Sequence, residues 1–209
     1  MDDTVVLIFA KAPIAGRTKS RLIPALGESG AARLHERMLT KAFESATRTG
    51  FAVELWATPD PHHAFFDALA QRFQFARHTQ SGEDLGIRMD RALADALTRF
   101  GKAILIGTDC PFIDSADLHQ ANTMLTGSQD VVLGAASDGG YVMIGLTDAC
   151  PALFHDMTWS TDTVAVETRQ RIKDAGRICH ELGPYHDIDR PADLNELSPR
   201  FANWLDLTN

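Results

Sequence analysis

Val5-Val6-Leu7-Ile8-Phe9-Ala10 is an unbroken apolar run. A strand with one wet face would alternate polar and apolar residues; a continuous run reads as a strand covered on both faces, as in parallel sheets. Ala103-Ile104-Leu105-Ile106-Gly107 has the same character. Around these two runs, helical and strand patterns alternate. Glu28–Arg48 carries Leu34, Met38, Leu39, Ala42, Phe43 and Ala46 at helical spacing, with Gly50 as a stop. Phe51–Thr58 reads as a strand, Pro61–Arg72 as a short helix and Phe73–Arg77 as a third strand. Asp84–Phe100 reads as a helix with Leu85, Met89, Leu93 and Leu97 on one stripe.

Further along, Ser115 is the expected cap of a helix ending near Leu125, and Ser160 of one over Thr161–Ala175. Val131–Leu133 and Tyr141–Leu146 are strands too close together for a helix between them, so one of them is expected to be antiparallel. Ile178–Leu182 reads as an edge strand, and Pro191 opens a short terminal helix. The expected fold is α/β: a three-layer αβα sandwich with a mixed, mostly parallel sheet. With no repeat, linker or composition shift, residues 1–209 read as one domain.

The chain has 209 residues, 44% hydrophobic and 23% charged, with net charge −8. That balance argues against general binding to nucleic acid or to an anionic membrane. Cys110, Cys150 and Cys179 are odd in number and widely spaced, with no zinc pattern, which argues against a disulfide scaffold. The start MDDTVVLIFAK has acids before its apolar run, unlike a signal peptide, and the run is too short to span a bilayer. A cytoplasmic location is expected. No exposed apolar stripe stands out, so no oligomeric state is read.

Ligands of open α/β sheets bind beyond the carboxyl ends of the strands. The loop after the first run extends from Lys11 to about Gly27 and carries Lys11, Arg17, Lys19 and Arg21 around Gly16. It lacks the adjacent Gly-Lys-Ser/Thr of a P-loop, and no GxGxxG is present. Four cations in an otherwise acidic chain nevertheless suit a polyphosphate, with Gly16 allowing close backbone approach, Lys19 a point charge and Arg21 a fork. The loop after the second run holds Asp109, a lone carboxylate suited to a divalent cation. Asp187 and Asp189, two apart in an extended stretch, share a face and form a second acidic pair. Asp138-Gly139-Gly140-Tyr141 reads either as a tight hairpin turn or as a turn presenting Asp138 to a second substrate. Asp84 suits a helix cap; Arg88, one turn on, either reaches a phosphate or sugar or pairs with Asp84. Trp159-Ser160-Thr161 reads as a cap with a packed indole, or as part of an acceptor site.

Together these segments resemble the bacterial family called "transferase 1, rSAM/selenodomain-associated". The matching stretches are Lys11-x-Pro13-x-x-Gly16-x-x-Lys19-x-Arg21-Leu22, Gln80-x-Gly82-x-Asp84-Leu85-Gly86-x-Arg88-Met89, Gly107-Thr108-Asp109-Cys110-Pro111, Asp138-Gly139-Gly140-Tyr141 and Asp187-x-Asp189-x-Pro191-x-Asp193-Leu194. The resemblance implies the GT-A-like nucleotide-diphospho-sugar transferase fold. The first loop and the final Asp-x-Asp are also similar to 2-phospho-lactate guanylyltransferases. The chain departs from these patterns at Arg190, where many of the latter carry Thr, and at Asp109, which stands alone where many glycosyltransferases carry Asp-x-Asp.

Three functions stay open: glycosyl transfer from a nucleotide sugar, nucleotidyl transfer from an NTP to a phosphorylated acceptor, and nucleotide binding without catalysis. The resemblance favours the first. It implies Mg²⁺ or Mn²⁺ on Asp109 with Asp187 or Asp189, and a nucleotide held by Lys11, Gly16, Arg17, Lys19, Arg21, Asp84 and Arg88. Lys19 and Asp109 would join Asp138, the candidate base, as the catalytic set acting on a small-molecule acceptor.

Overall fold

The computed structural model describes residues 3–197 and 201–205. Seven strands form one sheet: β1 (Thr4–Lys11), β2 (Ala52–Thr58), β3 (Ala76–Thr79), β4 (Lys102–Gly107), β5 (Asp130–Ala136), β6 (Tyr141–Leu146) and β7 (Ile178–Tyr185). Their order is β3-β2-β1-β4-β6-β5-β7. β6 runs antiparallel to β4 and β5, and every other pairing is parallel. Among the described residues, five α-helices cover the sheet: α1 (Ile23–Thr47), α2 (Ala64–Ala70), α3 (Leu85–Leu97), α4 (Ser115–Met124) and α5 (Val164–Asp174).

The alternation of side chains along β1 divides the core in two. Val6, Ile8 and Ala10 pack with Leu39 and Phe43 of α1, Phe66 of α2 and Leu118 of α4. Val5, Leu7 and Phe9 pack with Met89 and Leu93 of α3 and Ile172 of α5. The continuous apolar run is therefore a strand with a helical layer on each face. A third cluster, in which Leu22, Leu34 and Met38 meet Ile188 and Leu197, fastens the first loop to the chain after β7.

Several boundaries differ from the sequence reading. α1 starts at Ile23, inside the expected loop, and is interrupted at Gly27 (φ 69°, ψ 167°), so its long body still begins at Glu28. The third strand lies at Ala76–Thr79, because Phe73 and Phe75 pack on Phe43 instead of joining the sheet. Asp114, not Ser115, caps α4, in a reciprocal capping box with Asp117. α5 starts at Val164 with no side-chain cap, while Ser160 sits in the left-handed region at φ 65°. The stretch opened by Pro191 is 3-10 (Pro191–Leu197). No helix among the described residues is long and apolar enough to cross a membrane.

Candidate functional site

β1 and β4 are adjacent and parallel, with Phe9 opposite Gly107. Their following loops therefore leave the same sheet edge side by side. Between them and the segment after β7 lies a cavity of about 620 Å³. Lys11, Arg17, Lys19, Arg21, Arg88, Asp109, Asp138, Asp187 and Asp189 all line it, over a floor that includes Phe9, Met89, Leu105 and Val142. Cations and carboxylates spread across about 180 residues of sequence thus share one space.

The first loop is held by its own threonine. Thr18 is buried; its hydroxyl donates to the Ala12 carbonyl (2.9 Å) and accepts from the Ile14 amide (3.1 Å). Lys19 follows in the left-handed conformation, φ 50°. This turns its side chain inward, where it is only 3% exposed; Nζ donates to the Ile188 carbonyl (2.6 Å) and pairs with Asp109 (2.8 Å). Desolvation in the cavity would raise the Asp109 carboxyl, but the Lys19 ammonium, with His35 and Lys11 adding to it, outweighs that effect and holds the group below the ordinary carboxylate range. The Ile188 amide donates to the Asp109 carbonyl (2.8 Å), so three chain segments meet at this ion pair.

Asp189 is engaged by Arg21 at 2.5 Å and lies 3.9 Å from Lys19 Nζ. Asp193 supports it by accepting from the amides of Asp189 (3.0 Å) and Arg190 (2.6 Å). Among the described residues, Asp187 makes no such ion pair. Burial, then the Asp138 carboxylate nearby, raise its pKa above the usual value. Arg88 donates to the Gly82 carbonyl (2.9 Å), and Asp84 caps α3 by accepting from the Ile87 amide (2.8 Å), so the two serve separate purposes. Lys11, Arg17 and Arg21 are exposed cations of the wall, and Arg21 is engaged by Asp189.

Two expected nucleotide-binding residues stand outside the cavity lining. Gly16 makes the turn at φ 78°, and a Cβ there would meet the Glu28 carboxylate at 3.3 Å; its freedom serves the loop's path. Asp84 lies behind, at its cap. Among the described residues, no group of three Asp, Glu, His or Cys side chains converges as a metal cluster. The Asp138–Tyr141 stretch is a hairpin turn joining β5 to β6, with the Gly140 amide donating to Asp138 (2.9 Å), and it also faces the cavity.

Two cavity residues escaped the sequence reading of roles. His35 is 2% exposed, its Nε2 bonds the Lys11 carbonyl (3.0 Å), and burial pushes its pKa down. It sits beside Leu34 on the apolar stripe of α1, where spacing marks core and nothing more. Gln80 belongs to a quoted motif, yet its place came only with the fold: Nε2 donates to the carbonyls of Ala10 (3.1 Å) and Trp56 (2.9 Å), fixing the amide at the cavity wall.

This αβα sandwich with a mixed seven-stranded sheet is the fold of nucleotide-diphospho-sugar transferase-like proteins. The chain belongs to the family described as "Uncharacterized protein conserved in bacteria (DUF2064)", whose model matches residues 38–161. It is similar to a solved structure from Desulfovibrio desulfuricans G20, described as a "putative nucleotide-diphospho-sugar transferase". That similarity has 26% identity and TM-score 0.89, over 100% of this chain and 94% of that one. A cytidylyltransferase from Leptospira borgpetersenii matches with 14% identity and TM-score 0.59, over 100% and 93% of the two chains. The inositol-1-phosphate CTP transferase of T. maritima matches with 13% identity and TM-score 0.55, over 100% and 97%. These last two share the fold. No curated protein sequence matches the chain.

Proposed function

We propose that the protein is a transferase using a nucleotide-activated donor, and that its reaction is glycosyl transfer from a nucleotide sugar to a small-molecule acceptor. The observation that carries this reading is the meeting of Lys11, Arg17, Lys19, Arg21 and Arg88 with Asp109, Asp138 and Asp187 in one cavity beyond the strand ends. The resemblance to the rSAM/selenodomain-associated transferases and the named transferases among the solved structures support it.

In this reading Lys11 and Arg17 attract the phosphates, and Lys19 and Arg21 stabilise the leaving nucleoside diphosphate. The acceptor oxygen bonds the anomeric carbon as the bond from that carbon to the diphosphate oxygen breaks. The electron pair leaves with the diphosphate, and the hydroxyl proton passes to Asp138. Asp138 lies on the cavity wall, where a hydroxyl acceptor requires a base.

The acidic residues fit a divalent cation. Asp187 faces the same cavity as Asp109 with its carboxyl raised by burial and by Asp138, and magnesium takes one or two protein carboxylates, leaving its other positions to phosphate and water. Asp109 and Asp187 would hold Mg²⁺ or Mn²⁺, which when bound neutralises diphosphate charge as a Lewis acid. Asp189 instead orients Arg21.

Nucleotidyl transfer is the second reading. The exposed cations Lys11 and Arg17 favour it, since a triphosphate carries more charge, and an acceptor phosphate needs no base.

Thermal stabilisation by a panel of nucleotide sugars and NTPs, with and without Mg²⁺ or Mn²⁺, tests the proposal. A ligand at a hundred times its Kd adds about 2.7 kcal/mol, a rise in Tm of roughly 5–10 °C for a chain of this size. Selective metal-dependent stabilisation by a nucleotide sugar is expected. Stabilisation by NTPs alone supports the second reading, and silence across the panel overturns both.

A further inference from the structure

Beside the cavity, two hydrogen-bond donors lie buried without partners: the Tyr141 hydroxyl and the Trp159 indole Nε1. Their rings touch edge to face, with centroids 6.3 Å apart. Buried donors are rarely left unpaired, and those that are call for an explanation. Tyr141 lines the cavity and Trp159 stands behind it against Gly86, where a Cβ would lie 2.6 Å from Nε1. The segment carrying Trp159 is also strained: Asp156 (φ 54°) and Ser160 (φ 65°), both outside glycine's licence, bracket it. Downstream, it packs on the turn that holds Asp138. The Ala165 amide donates to the Gly139 carbonyl (2.8 Å), and a Cβ on Gly139 would lie 2.0 Å from the Asp162 carbonyl oxygen.

We propose that Tyr141 and Trp159 form an acceptor subsite for a neutral, hydroxyl-rich small molecule such as a sugar or polyol, opened when the 155–163 segment shifts. The proposal rests on the transferase reading above. An acceptor hydroxyl takes a hydrogen bond from Tyr141 or Trp159 and donates its own proton toward Asp138, three residues from Tyr141. The carboxylates of Asp138 and Asp187 disfavour an anionic acceptor there, and Arg21 of the same cavity is already committed to Asp189. Ligand binding satisfies two orphaned donors and releases the strain at Asp156 and Ser160 together.

Tryptophan emission reads this directly. Wild type, Trp159→Phe and Tyr141→Phe are titrated with glucose, myo-inositol and glucose 1-phosphate, with and without the stabilising nucleotide. The expected result is a saturable change with a neutral ligand, absent in Trp159→Phe, and about tenfold weaker binding in Tyr141→Phe. Tyr141→Phe removes only an unpaired hydroxyl, so its unliganded Tm stays equal to or above wild type, and both variants keep the nucleotide-induced shift. A change that persists in Trp159→Phe, unaltered affinity in Tyr141→Phe, a preference for glucose 1-phosphate, or no saturable response overturns the subsite. If Trp159→Phe fails to fold, the Tyr141→Phe affinity decides. If no nucleotide stabilises the protein, the transferase reading fails, while the nucleotide-free titrations still decide the subsite.

Discussion

Replacing Lys19 by Met tests the junction on which the site is built. Methionine keeps an apolar stem of similar length and removes the ammonium. The change deletes a charged hydrogen bond to the Ile188 carbonyl and strands the Asp109 carboxylate. Breaking a fully buried ion pair costs about 3–5 kcal/mol. Lys19 is buried here, but half of the Asp109 side chain is exposed, so water recovers part of that loss. The expected destabilisation is about 2–3 kcal/mol, a fall in Tm of roughly 5–10 °C. Differential scanning calorimetry of Lys19→Met, Asp109→Asn and the double variant supplies the assay. If the cost comes from a stranded charge, the double variant is less destabilised than the two single effects summed, by about 1–2 kcal/mol. An unchanged Tm in Lys19→Met, or strict additivity in the double variant, refutes the reasoning.

Three further outcomes follow from the same geometry. Asp187 has a raised pKa in the fold, so its ionised form costs stability that grows as pH rises above the ordinary carboxylate value. Asp187→Asn is therefore expected to unfold at higher temperature than wild type at pH 7, with the advantage fading below about pH 4, while metal-dependent nucleotide stabilisation falls; a lower Tm at pH 7 contradicts this. Asp130 behaves oppositely: its bond to His180 (3.0 Å), then those from Thr126 and Gly127 (2.7–2.9 Å), hold its pKa well below the carboxylate range. Its stabilisation is present above the unfolded value and is lost as pH falls toward the folded one, so Asp130→Ala should cost about 2–3 kcal/mol at pH 7 in urea denaturation and progressively less below about pH 4. Asp138→Asn should leave the nucleotide-induced Tm shift intact and slow transfer by roughly 10²–10⁴-fold; lost nucleotide affinity would move Asp138 to the donor side.

The fold was largely legible because its signals are local. Unbroken apolar runs at Val5–Ala10 and Ala103–Gly107 mark doubly covered strands, and the short interval between β5 and β6 leaves room only for a hairpin. Boundaries slipped where two local signals competed. Asp114 and Ser115 are both good caps, and only Asp114 has Asp117 in position to complete the box. Phe73 and Phe75 have strand propensity, but the Phe43 ring offers them better burial. Within the site, the residues flanking the strands could be named from spacing, whereas their partners could not. The Arg21–Asp189 contact joins positions 168 apart in sequence, and Lys19–Ile188 joins positions 169 apart. His35 carries no sequence mark because a buried polar residue on an apolar stripe looks like core until its bond to Lys11 is seen.

Phosphorus NMR of one reaction tests the central claim most directly. The protein is incubated with Mg²⁺, the nucleotide sugar or NTP that stabilises it, and a pool of sugars, polyols and sugar phosphates, with Asp109→Asn run in parallel. Glycosyl transfer predicts that nucleoside diphosphate accumulates from a nucleotide sugar, with no pyrophosphate, and that Asp109→Asn is inactive. Release of pyrophosphate from an NTP, or equal turnover by Asp109→Asn, would contradict it.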